Sequence, residues 1–399
     1  MCKLTYEELI LLDNLIYLEW DVKEDESLIN LVYGLLNKGE FNKLMDNVGN
    51  CIIEMPESEW VNILNQIINK PNLRNLRIKN VANYKNGMRF ACFVDDENNA
   101  TVVFRGTTTT KEWDDNGQGA YEYDTIQQID ALNYINSLRY DNITVTGHSK
   151  GGNKAQYVTV LSPKISNCVS INGQGFSNEF ISKYKDQINQ NKSKIISING
   201  KYDYVNCLFN SIVGECHYIK TESQINPFYY HKANILLDDN GDLRQETNEA
   251  IFSKIINKFS NALLSDMPEE IQNLTINGMI GVIELILCKG EIKGNILKVA
   301  GELLIMLCYE NCVKYKEIFN IAYKVLEVLI LPLLFWEDFI KIEEIKSKEL
   351  LENIIKGINI SGKGIIKKIE IIDKNQISLI DNISKAVNNL TYELENITL

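Results

Sequence analysis

The sequence Ile143-Thr144-Val145-Thr146-Gly147-His148-Ser149-Lys150-Gly151-Gly152-Asn153 reads as a strand, a tight turn and the start of a helix. The run from Ile143 to Thr146 is β-branched throughout, and a helical pattern follows from Lys150 to Leu161. Between them lies Gly-x-Ser-x-Gly. A serine on such a turn sits in a strained backbone conformation with Oγ exposed at the carboxyl edge of a sheet. The residues two before and two after it must be small, or strand and helix collide across the turn. Gly147 and Gly151 meet that requirement. The amide of Lys150, at the helix start, is placed to face an oxyanion. Ser149 is therefore the candidate nucleophile.

The flanking segments extend the pattern. Met88 to Val94 and Thr101 to Phe104 are short apolar runs joined by Asp95-Asp96-Glu97-Asn98-Asn99, a hairpin signal. A helix is expected from about Thr125 to Leu138, with Ile126, Ile129, Leu132 and Ile135 on one side. Cys168 to Ile171 and Lys194 to Ile198 read as further strands with helix between them. Strands alternating with helices predict a mostly parallel sheet. Residues 1 to about 80 read as helical, opening with a capping box, Thr5-x-x-Glu8, across which Leu4 staples to Leu9. From about Thr247 the strand signals stop. The expected division is a helical N-terminal segment (1–85), an α/β core (86–246), a helical region (247–355) and a terminal amphipathic helix (356–399). Gly357, Gly362 and Gly364 are expected to loosen the chain before that last helix. Its apolar positions recur at gaps of three and four, which suits internal packing or pairing with a second copy.

A second piece lies upstream of the turn. Val102-Val103-Phe104-Arg105-Gly106-Thr107 ends a strand, and the polar loop Thr108-Thr109-Thr110-Lys111-Glu112-Trp113-Asp114-Asp115 follows. With Gly147-His148-Ser149-Lys150-Gly151-Gly152, this resembles the class 3 (fungal-type) lipases of the α/β-hydrolase fold. It is nearest to an uncharacterised bacterial branch in which Lys follows the nucleophile and Asn follows the second Gly. The likeness is concentrated in roughly residues 86 to 240. It implies an α/β-hydrolase fold with helical additions at both ends. It also implies an oxyanion hole built from the amides of Thr107 and Lys150. Lysine at position 150 would make the mouth of the site more polar.

A serine hydrolase of this fold places an acid and then a histidine after the nucleophile in chain order. Only three histidines exist, His148, His217 and His231. His148 adjoins Ser149 and should point back into the sheet. His217 precedes Tyr218-Ile219, which reads as strand. His231 lies on a loop, in Pro227-Phe228-Tyr229-Tyr230-His231-Lys232, where a base at the sheet edge has to be. The acid is expected at Asp203, on a short loop after a strand, with Asp186 as the fallback.

Composition bounds the rest. The 399 residues are 45% hydrophobic and 24% charged, a globular balance. The 41 basic and 53 acidic residues give a net charge of −12, which argues against nucleic acid as a partner. Nine cysteines, an odd number without metal-site spacing, read as buried free thiols in a reducing, cytoplasmic setting. The first residues lack the pattern of a signal peptide, and no apolar run is long enough to span a bilayer. The Leu- and Ile-rich segment between 279 and 336 suits core packing, a lid or contact with a membrane surface. No metal or cofactor motif is present, and Asp238-Asp239-Asn240-Gly241-Asp242 reads as a plain turn. The expected function is cofactor-free hydrolysis of a small-molecule or lipid ester. The alternatives are a catalytically weak scaffold that binds a partner or a second copy through its helices, and a lipid-degrading toxin.

Overall fold

The computed structural model describes residues 4–20, 25–41, 55–107, 123–224, 227–265, 267–268, 271–272, 274–276, 316–372 and 376–399. The polar loop 108–115 and most of the Leu- and Ile-rich segment, including Cys288, Cys308 and Cys312, lie outside these, as do Cys2 and Cys51.

Nine described strands form one sheet in chain order: β1 (Glu26–Ser27), β2 (Arg77–Asn83), β3 (Arg89–Val94), β4 (Ala100–Phe104), β5 (Ile143–His148), β6 (Ile165–Ile171), β7 (Ile195–Gly200), β8 (Glu215–Ile219) and β9 (Glu246–Thr247). Strands β4 to β8 pair in parallel and the outer strands are antiparallel. This is the α/β-hydrolase class of architecture, a largely parallel sheet flanked by helices. The expected hairpin is β3–β4. Strand β2 begins in a segment that reads as helical; its sequence Arg-Ile-Lys-Asn-Val-Ala-Asn has only three apolar residues, of which only Ile78 is buried.

Parallel strands laid down in sequence order, with right-handed crossovers, put every connecting helix on the same face. Helices α4 (Ile126–Ser137), α5 (Lys150–Leu161), α6 (Asn178–Lys183) and α7 (Lys185–Asn191) fill that face, packing on Val102, Val145, Cys168 and Ile195. The opposite face would be bare without the N-terminal helices. There α1 (Tyr6–Leu15), α2 (Leu28–Lys38) and α3 (Glu57–Asn69) cover Val103, Val169, Ile171, Ile198 and Ile219. Helix α1 opens with the capping box, Glu8 N donating to Thr5 Oγ1 at 3.4 Å and Thr5 N to Glu8 Oε2 at 2.9 Å. It is buried on every side from Glu8 onward, Asp13 and Asn14 included, because it lies between sheet and α3.

Of the four apolar residues read on one side of α4, only Ile135 is fully buried. Ile126 is 62% and Ile129 43% exposed, while Gln127, Gln128, Ala131, Tyr134 and Ile135 are buried. The capping box Thr125–Gln128 and the bond from Gln128 Nε2 to Asn153 Oδ1 (2.8 Å) turn a polar face inward.

The third core is C-terminal, built from α8 (Ile251–Ser265), α9 (Lys316–Ile330), α10 (Trp336–Ile345), α11 (Lys348–Ile372) and α12 (Ile377–Glu395). The glycines at 357, 362 and 364 do not break the chain; they lie inside α11. The terminal periodic stretch is two helices, the end of α11 and α12. Gly362, ten residues before one end, lets Val387, ten residues after the next start, approach so closely that a Cβ would sit 2.8 Å from Val387 Cγ1. That spacing defines an antiparallel helical hairpin, and the interior heptad-like pattern is spent on it.

Cys92, Cys168 and Cys207 are buried free thiols; burial pushes Cys92 up to about 11 and Cys168 up to about 12. Cys216 departs from the expectation, being exposed on β8. Among the described residues no helix is long and apolar enough to cross a membrane.

Asp13 is a costly feature of the α1 interface. Its carboxyl is fully buried, Oδ2 accepts from Thr146 Oγ1 at 2.7 Å, and Oδ1 has no hydrogen-bond partner among the described residues. Burial raises its pKa well above the usual carboxylate range. The folded chain thus keeps a proton that the unfolded chain releases. The stabilising contribution is whole below the unfolded value and is lost as pH rises through the folded one. Asp13→Asn supplies a neutral group at every pH. It should raise the denaturation midpoint at about pH 8, with the gain vanishing near pH 4. An equal gain at both pH values would contradict this.

Candidate active site

The carboxyl ends of the parallel strands carry the candidate residues. Ser149 follows β5 at φ 58° and ψ −123°, a left-handed conformation that a side chain rarely adopts. It is held there by the strand behind it and α5 ahead of it. A Cβ on Gly147 would run into the Gly151 backbone, and one on Gly151 into the Phe104 carbonyl. The turn is therefore closed to larger residues, and such strain concentrates at functional positions. Asn153 N closes the first helical turn onto Ser149 O at 3.2 Å.

Phe104 on β4 pairs with Gly147 on β5. Thr107 and Lys150 each lie three residues beyond that rung. Lys150 opens α5, but its side chain is only 1% exposed. Lys150 is therefore a buried residue at the start of α5 rather than a solvent-exposed one.

The loop after β7 supplies Asp203, which is fully buried. Oδ1 accepts from His231 Nδ1 at 2.8 Å and from Val205 N at 3.3 Å. Oδ2 accepts from Asn206 N at 3.0 Å and Asn206 Nδ2 at 3.1 Å. A carboxylate so saturated has one orientation, and it fixes the proton of His231 on Nδ1, leaving Nε2 to accept. His231 ends a 3₁₀ turn, Pro227–His231, and is 5% exposed. Its ring lies 4.7 Å from that of His148, the neighbour of Ser149. Asp203 and His231 are thus joined beside the serine turn. Among the described residues no hydrogen bond links Ser149 Oγ to His231.

The other candidates fall elsewhere. His217 lies within β8 with Nδ1 2.8 Å from Glu246 Oε1, and Asp186 is exposed in the first turn of α7. Asp238 Oδ1 accepts from the amides of Asn240 and Asp242, as a plain turn requires. Among the described residues no group of three or more His, Cys, Asp or Glu side chains is placed to hold a metal ion.

His148 is a structural histidine. Nε2 lies 2.7 Å from the His231 carbonyl, which can only accept, so Nε2 carries the proton. Nδ1 then accepts from Tyr17 Oη at 2.8 Å. Burial, with the neighbouring His231 second, holds the His148 pKa well below the ordinary histidine value, so the ring is neutral. Gly106 lies against both Tyr17 Oη and the Ser149 side chain. Asn172 ties the acid loop to the base loop. Its Oδ1 accepts from Gly200 N at 2.8 Å and its Nδ2 reaches the His231 carbonyl at 3.4 Å.

The flanking helices grip the same loops. Lys232 Nζ and Asn234 Nδ2 both donate to Glu59 Oε2 of α3, at 2.5 and 2.8 Å. Trp336 Nε1 of α10 donates to the carbonyl of Tyr202, the residue before Asp203, at 2.9 Å. Tyr17, Glu59, Asn172 and Trp336 carry no local motif. Only Asn172, a left-handed-tolerant residue ending a strand ahead of Gly173, gives a hint in the sequence.

The fold and the sheet-edge arrangement define a protein of the lipase-like α/β-hydrolase class. The sequence profile of the Mbeg1-like family, a lipase-like family, matches residues 67–280, more than half the chain and the whole span from β2 to β9. The chain belongs to the Mbeg1-like family. No curated protein matches it. It is also similar to the crystal structure of M37 lipase, at 15% identity over 52% of this chain and 71% of that one, with a TM-score of 0.29.

Proposed function

We propose that the protein is a serine hydrolase that cleaves a carboxylic ester through an acyl-enzyme, with Ser149 as nucleophile, His231 as base and Asp203 as its orienting acid. The observation that carries the reading is the buried 2.8 Å Asp203–His231 bond set beside a serine at φ 58°. His231 Nε2 takes the proton of Ser149 Oγ as the oxygen attacks the ester carbonyl. Asp203 holds the imidazole tautomer and stabilises the imidazolium that forms. The amides of Thr107 and Lys150 hold the tetrahedral oxyanion, each such donor being worth roughly 3–4 kcal/mol. Collapse expels the alcohol with the proton from His231, and water then repeats the cycle on the acyl-serine. The serine–histidine hydrogen bond belongs to the substrate complex; it is often long in free enzymes.

A panel of p-nitrophenyl esters of increasing acyl length tests this. The protein should hydrolyse at least one, and Ser149→Ala should lower kcat by about 10⁴-fold or more. Equal rates for the two proteins would defeat the assignment.

A further inference from the structure

A cavity of about 500 Å³ lies at the amino ends of the parallel strands, the end away from Ser149. One wall is a rung across three strands: Thr101 of β4 pairs with Thr144 of β5, and Thr144 with Asn167 of β6. Paired residues point to the same face. That face is the one covered by α1, since Thr146, two residues beyond Thr144, bonds to Asp13. Thr101 and Asn167 are each only 6% exposed. No hydrogen bond among the described residues engages these three side chains, and none of their polar atoms is sealed from solvent, so the rung faces the open cavity. The sheet here offers two hydroxyls and an amide to whatever occupies the cavity. The turn between β3 and β4 forms the other wall, with Asp95, Asp96 and Glu97. Asp95 is engaged by Asn99, while Asp96 and Glu97 are exposed.

We infer that this cavity is a binding site for an amino sugar, a hexose-sized molecule bearing hydroxyls and one primary ammonium. Among the described residues neither lysine, arginine nor histidine lines it, and the carboxylates at its mouth repel anions. An ammonium fits against Asp96 and Glu97, while ring hydroxyls exchange hydrogen bonds with the Thr101–Thr144–Asn167 rung. The volume falls within the range of small-molecule sites. In open α/β sheets the substrate crevice lies at the carboxyl ends of the strands. This cavity lies at the amino ends, about 16 Å from Ser149 along β5. It is therefore a separate site, and neither it nor its test depends on the hydrolase assignment.

Titration calorimetry on the full chain decides the matter, with glucosamine, glucose and glucuronate as probes. Glucosamine should bind saturably, with a dissociation constant in the millimolar range or tighter. Glucose should bind at least about tenfold more weakly and glucuronate should not bind. Asn167→Ala should weaken glucosamine at least about tenfold. The exposed pair Asp96→Asn/Glu97→Gln, which leaves the core untouched, should do the same and decides alone if Asn167→Ala does not fold. Absence of saturable glucosamine binding, equal affinity for glucosamine and either comparator, or unchanged affinity in the exposed pair would overturn the proposal.

Discussion

Asp203→Asn should lower kcat for ester hydrolysis by about 10⁴-fold without unfolding the protein. The size follows from which atom of the new amide would face His231. In the native site Oδ2 accepts two hydrogen bonds from Asn206, so an asparagine must place its carbonyl oxygen there. Its NH₂ group then points at His231 Nδ1, where a carboxylate now accepts. The imidazole answers by moving its proton to Nε2, the atom that has to take the Ser149 proton. Shape and volume barely change, so the melting transition should stay close to that of the native protein. The check is a kcat measurement beside a thermal melt on the same preparation. Activity within tenfold of wild type would mean that Asp203 does not set the tautomer of a working base.

Trp336→Ala should cost about 3–5 kcal/mol, read as a lowered denaturant midpoint. The indole is 3% exposed and packs against Phe339 in the C-terminal core. It also donates to the Tyr202 carbonyl, so its removal loosens the loop that carries Asp203. Lys201, bonded to Glu343 of α10 at 2.8 Å, and Asn257 of α8, which donates to the carbonyls of Cys207 and Phe209, hold that loop from the same side. The C-terminal helices are therefore structural partners of the acid loop. Trp336→Phe keeps a ring in the cavity and loses only the N–H, and should cost about 1–2 kcal/mol. An unchanged midpoint for Trp336→Ala would show that this packing carries little of the stability.

Much of the fold was legible in the sequence because the signals were local. The serine turn, the β3–β4 hairpin, the Thr5 capping box and the alternation of strand and helix each occupy short stretches of chain. The missing parts share one cause: their meaning lies in contacts between distant segments. Strand β2 is polar enough to escape notice and exists because β3 is beside it. Ile126 and Ile129 fit the period of a buried stripe, yet a glutamine face turns inward because Asn153 is there to receive Gln128. The glycines of α11 read as breaks until Val387 is seen against Gly362. The burial of Lys150 carries no local signal either. The candidate residues were legible one at a time, from strand ends and chain order. The residues that hold them, Tyr17, Glu59, Asn172 and Trp336, were not, since each acts on a loop far away in the chain.

The most direct test of the hydrolase assignment is covalent labelling with a fluorophosphonate probe, followed by mass spectrometry of the labelled peptide. One adduct is expected, on Ser149, absent from Ser149→Ala and much slowed in His231→Ala. An adduct on another residue, or labelling undiminished in Ser149→Ala, would contradict it.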